Sequence, residues 1–113
     1  MGTVNIEYVN LTDKNATVGT RPGDTPVDVN SIDYTDSSFE VVTSTSSASK
    51  DSGTPPASAT HAVVTSVGSS HYVRIGTAPT TTTGGKAVMS GASRWISVTG
   101  GDASSVLKIC TTS

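Results

Sequence analysis

The sequence predicts an all-β domain, an antiparallel β-sandwich or jelly-roll-like barrel with an extended N-terminal arm. Three observations lead there. Val outnumbers Leu 14 to 2 in a chain of 113 residues, and β-branched side chains fit a pleated surface while losing entropy in a helix. Ser and Thr fill 37 positions, about a third of the chain. Short apolar runs with period two are separated by Gly-, Pro- and Ser-rich turns about every eight to twelve residues, and no helical period competes with them.

Taken in order, residues 3–9 alternate with Val4, Ile6 and Tyr8 on one face, as a half-buried strand does. Residues 21–26 (Arg-Pro-Gly-Asp-Thr-Pro) form a turn or loop, with Pro pre-setting φ and Gly allowing positive φ. Residues 28–38 are polar and acidic, anchored only by Val29, Ile32 and Tyr34, and read as an extended arm or long loop. The domain division expected is therefore an irregular arm over 1–38 and a sandwich over 39–113. Residues 39–45 form a strand, and the Ser-, Ala- and Pro-rich stretch 44–58 a surface loop. Strands follow at 60–67, 71–75, 86–89, 94–98 and 105–110, with a hairpin-length turn at Gly68-Ser69-Ser70 and further turns at 90–93 and 99–102.

Composition sets several classes aside. No apolar run approaches the length needed to span a bilayer, so no membrane partner is expected. Residues 1–7 lack the basic and apolar regions of a secretory signal. The seven basic residues are spread singly in a chain of net charge −2, which argues against nucleic acid. One cysteine excludes an intrachain disulfide framework. With so few large aliphatic residues, the core rests on Val, Thr and Ala, and a thin core of this kind is often completed by assembly.

No constellation carries catalysis. His61 and His71 match no metal-ligand spacing. Asp28, Asn30, Asp33 and Asp36 open like a calcium loop, but Ile32 and Asp33 stand where an oxygen ligand and Gly are required. Cys110 reads as a small buried hydrophobe. Glu7 and Glu40, the only glutamates, read as outward-facing on alternating strands. Neither a metal nor a cofactor is expected, and the chain is read as non-enzymatic. Trp95 and Tyr72 read as contact aromatics.

One stretch resembles a known family. Within a stretch of about 50 residues from Ala62 to Ile109, the segments Tyr72 to Gly76, Pro79 to Thr83, Val88 to Gly91, Trp95 to Val98, Gly101-Asp102 and Val106 to Ile109 resemble small virion proteins of tailed bacteriophages. The chain departs from them in its Gly100-Gly101-Asp102 turn, where Pro is common, and in its long polar N-terminal segment. The resemblance implies a capsid cement or decoration subunit on the outer capsid surface, stabilising contacts between major capsid proteins. A neck, tail or fibre accessory protein is the alternative within that class. The implied partners are the major capsid protein and further copies of the chain, as a homotrimer. A carbohydrate-binding or adhesin module using Trp95 and Tyr72 is the alternative from another class. The interface residues expected are Val4, Ile6, Tyr8, Tyr34, Tyr72 and Trp95, with the arm adding a strand to a neighbour's open edge.

Overall fold

In a computed structural model, the described residues are 2–17 and 28–113, with side chains described for 2–11 and 39–113. The turn expected over 21–26 lies outside them. The strands are β1 (Thr3–Thr17), β2 (Asp28–Val42), β3 (Lys50–Asp51), β4 (His61–Val67), β5 (His71–Ile75), β6 (Lys86–Val88), β7 (Ser93–Ser97) and β8 (Leu107–Thr111). A 3-10 turn at Ala103–Ser105 is capped by Asp102, whose carboxylate accepts from Ser104 N.

The strands form two antiparallel sheets packed face to face, a β-sandwich and not a closed barrel. Sheet I has the order β2-β1-β4-β7 and sheet II the order β3-β8-β5-β6. The period-two pattern of the sequence places the core between them. Val4, Ile6 and Tyr8 of β1, Ala62 and Val64 of β4 and Ile96 of β7 face Leu107 and Ile109 of β8, Val73 of β5 and Val88 of β6, all buried.

Four expectations are corrected. First, residues 3–9 are not part of a separate arm. Within β1 they sit inside sheet I, paired with β2 on one side and β4 on the other, and Val4, Ile6 and Tyr8 belong to the core rather than to an intermolecular contact. Second, residues 28–38 belong to a strand, not a loop: 28–34 pair with the second half of β1, with Val9 opposite Tyr34, Leu11 opposite Ile32 and Asp13 opposite Asn30, and 35–38 bulge before the register resumes at Phe39 opposite Glu7. Third, Gly68-Ser69-Ser70 is not a hairpin turn. Both edges of β4 are already taken by β1 and β7, so the chain steps across the core and β5 joins sheet II. Fourth, the 44–58 stretch is not a free surface loop. It carries β3, and Ser52 Oγ accepts from Leu107 N at 2.9 Å while Ser52 N donates to Leu107 O at 2.8 Å.

The Gly100-Gly101 turn has a steric cause. Gly101 has φ +74°, and a Cβ on Gly100 would overlap the carbonyl oxygens of Pro56 and Ala57. The turn thereby docks flush on the 55–57 segment, with Gly101 N donating to Pro55 O at 2.9 Å. Gly100→Ala is expected to cost about 1–3 kcal/mol, as overpacking does, and Ile6→Ala about 2–5 kcal/mol through its cavity. Urea denaturation midpoints at constant m-value measure both.

Candidate functional site

The two long sides of the sandwich differ. On the side of β2 and β3, polar groups close the gap between the sheets. Tyr8 Oη donates to Glu40 Oε2 at 2.8 Å, Gly53 N donates to Glu40 Oε1 at 2.7 Å, and Lys50 Nζ donates to Thr43 O at 2.7 Å. Burial, with the Glu40 carboxylate adding to it, holds the Tyr8 hydroxyl well above the usual phenol range. Glu40 therefore faces inward as an acceptor, in contrast to the outward position its strand pattern implied, and only Glu7 is exposed.

On the opposite side, among the described residues, no strand pairs with the free edge of β6 or of β7. That flank is tied at one end, where Arg94 Nη1 donates to Ala87 O at 3.2 Å. At the other end it opens into a cleft of about 780 Å³ lined by Ile75, Gly85, Lys86, Trp95 and Ile96 among others. Arg74 and Lys86 line this cleft, and no carboxylate does. The stem of Arg74 lies against Gly85, where a Cβ would come within 2.6 Å of Arg74 Cγ, so glycine at 85 is what lets Arg74 lie there.

The outer face of sheet I is the second surface feature. The register aligns Phe39, Glu7, Val63 and Trp95 in one row across β2, β1, β4 and β7. Val41 lies opposite Asn5 and Val67 opposite Thr3 on the same face. Seven large hydrophobic residues are exposed among the described residues, and five of them lie on this one face: Leu11, Phe39, Val41, Val67 and Trp95. Phe39 is 57% and Trp95 47% exposed. Apolar exposure concentrated on one face marks a contact surface, whereas single scattered residues do not. The Trp95 ring is held edge-on by His61, with centroids 6.1 Å apart and planes at 62°, and His61 Nδ1 is 2.9 Å from Thr60 Oγ1.

The expected interface residues thus separate. Trp95 is on this face. Tyr72 is on the outer face of the other sheet, opposite Cys110 and Ala87, with its ring packed at Gly84. The two aromatics are not brought together. Tyr34 is placed by its backbone on β2 opposite Val9, and its side chain lies outside the described ones. Phe39, Val41 and Val67 are further exposed apolar residues of this face, beyond those expected from the sequence. The register that joins them into a face is not visible in the sequence.

His61 and His71 are also apart. His61 is on the outer face beside Trp95, while His71 is fully buried between the sheets at 0% exposure. Its hydrogen bonds fix its protonation. Ser66 Oγ donates to Val88 O at 2.9 Å, so it accepts from His71 Nδ1, also at 2.9 Å. Thr45 Oγ1 accepts from Gly2 N at 3.2 Å and donates its own proton to His71 Nε2 at 2.7 Å. The ring is neutral with the proton on Nδ1, and every polar atom has a partner. An added proton on Nε2 would displace the Thr45 hydroxyl proton. Burial also pushes the His71 pKa below its usual 6.5. Cys110 is buried as well, which raises its thiol pKa.

Comparison with protein-family models, with curated proteins and with solved structures found no match to the chain.

The His71 environment has a definite pH consequence. The folded pKa is lowered, so the unfolded chain binds the extra proton first as pH falls. The stabilisation is complete above about 6.5, the unfolded value, and is lost as pH falls from there toward the folded pKa. Unfolding free energy measured at pH 7.5 and 5.5 should fall in the wild type. The difference should be smaller in His71→Ala, which is also less stable at pH 7.5.

Proposed function

We propose that the chain is a non-enzymatic structural subunit of a tailed-phage particle, a cement or decoration protein that binds the outer shell and stabilises contacts between major capsid proteins. The observation that carries this reading is the outer face of sheet I, where five large exposed hydrophobic residues share one side of the sandwich. On this face Phe39 and Val41 of β2 and Val63 and Val67 of β4 flank Thr3, Asn5 and Glu7 of β1, so apolar contact area and polar groups that fix orientation share one surface. The thin core gives such contacts further value, because binding to a larger surface stabilises a small domain by mass action. The resemblance of residues 62–109 to small virion proteins supports the same class.

The β1–β2 pair supports it as well. β4 covers β1 only as far as Val9, and residues 10–17 continue paired with β2 alone. At a rise of about 3.3 Å per residue, this two-stranded ribbon projects about 26 Å past the sheet. A ribbon of two strands is marginal by itself and gains its stability from what it packs on.

The test is re-addition to particles that lack the chain. Purified protein should co-sediment with such particles to saturation. Phe39→Ala and Trp95→Ala, folded by circular dichroism, should each weaken binding on the order of tenfold or more, as truncated interface aromatics do. Absence of binding, or binding unchanged in both variants, would overturn the proposal.

A further inference from the structure

The backbone of β7 leaves hydrogen-bonding groups open along one edge. In an antiparallel ladder, successive residues turn their N–H and C=O to opposite sides of the strand. Val98 N donates to Thr60 O at 3.0 Å, and Ser66 N donates to Ala92 O at 3.2 Å. Both bonds fall on the β4 side and fix the parity. Arg94 and Ile96 bond β4, while Trp95 and Ser97 turn their N–H and C=O to the free edge. Among the described residues these four groups have no hydrogen-bond partner. Ala87 O on β6, by contrast, is taken by Arg94.

The same two residues line the cleft between the sheets, and that cleft is cationic. Trp95, Ile96 and Ser97 belong to sheet I, and Val73 to Ile75 with Lys86 to sheet II. Lys86 lies opposite the buried Val73, so it holds an inward-facing position of β6 where an apolar residue would have extended the core. Arg74 lies along Gly85. No carboxylate lines the cleft, and the ion pair among the described residues is Lys108 with Asp51, so both cations lack an acidic partner there. An inward charge blunts an edge against uncontrolled pairing, and that role alone calls for no ligand. Two cations beside two residues of open backbone also match what an extended chain carrying carboxylates requires.

We propose that the free edge of β7 takes an extended acidic peptide segment of a partner protein as an added strand, its carboxylates directed to Arg74 and Lys86. Trp95 and Ser97, about 7 Å apart along the strand, exchange main-chain hydrogen bonds with it, as in strand addition. The peptide residue opposite Ile96 shares the inward face of Ile96 and points into the cleft. Carboxylates therefore belong at that position and at every second residue from it. An acidic polysaccharide would meet the cations but not the ordered row of N–H and C=O groups, so the backbone decides for a peptide. The inference goes beyond the shell contact and uses another surface, the edge of β7 rather than the outer face of sheet I. Because the charges lie at an open rim, binding weakens as salt rises.

Fluorescence anisotropy with the full chain and a labelled peptide of alternating Thr and Glu tests this. The peptide should bind saturably. Replacing every Glu by Gln should weaken binding at least tenfold by removing the charge pairing. N-methylating every Thr, the residues that face Trp95 and Ser97, should do the same by removing the main-chain donors. A chain carrying Arg74→Gln and Lys86→Gln, folded by circular dichroism, should also bind at least tenfold more weakly. Arg94 is left in place because its guanidinium ties β6 to β7. Oligogalacturonate at equal carboxylate concentration should not displace the peptide. No saturable binding, as expected of a charge that only blunts the edge, would overturn the inference. So would equal binding of the Gln or N-methylated peptide, or displacement by oligogalacturonate. The peptide comparisons use the wild-type chain, so they decide the matter even where the double variant does not fold.

Discussion

The neutral imidazole of His71 is the constraint on which the rest of the sandwich depends. It bonds Ser66 of sheet I on one nitrogen and Thr45, on the chain between β2 and β3, on the other. Through those hydroxyls it reaches Val88 O of sheet II and the backbone at Gly2. Positions 2, 45, 66 and 88 thus meet at the one buried ring of His71. The surrounding core is built mainly of Val, Ile and Ala, with Tyr8 and a single Leu, so dispersion and area burial per residue are modest. A fully satisfied polar network in such a core specifies how the two sheets register, and a half-satisfied one would cost more than an apolar replacement.

With the sheets fixed in this way, the two sides of the sandwich acquire different fates. Glu40 ties Tyr8 of β1 to Gly53 just past β3, and Lys50 ties β3 to Thr43, so that flank is closed by the chain itself. The β6–β7 flank has only the Arg94 bridge at one end and leaves an edge and a cationic cleft open at the other. The apolar face of sheet I lies between these flanks and shares Trp95 with the cleft. A protein organised in this way offers a flat face, an open edge and a projecting ribbon.

Much of the sandwich was legible in the sequence. The strand at 71–75 is read with its observed bounds, and the strand expected over 60–67 is observed at His61–Val67. The all-β class follows from the Val and Thr content and the turn spacing. What was not legible depends on pairing. Asp28 to Tyr34 have no regular apolar alternation of their own and become strand because β1 lies beside them. The turn at 68–70 has hairpin length, but which sheet the next strand joins is decided by the edges β4 has left. His71 has no local signal of burial, since its hydroxyl partners come from positions 45 and 66. Val4, Ile6 and Tyr8 were correctly seen as one apolar face, yet whether that face meets the chain's own core or another molecule is a tertiary fact. The same holds for Phe39 and Trp95, which become neighbours in a row only through the register of four strands.

The most direct measurement of the proposed role is a cryo-electron reconstruction of phage particles to which the purified chain has been added. The account expects copies on the outer shell, with Phe39 and Trp95 of each copy against a major capsid subunit. Copies confined to a single ring or spike, or a sheet I outer face turned to solvent in every copy, would contradict it.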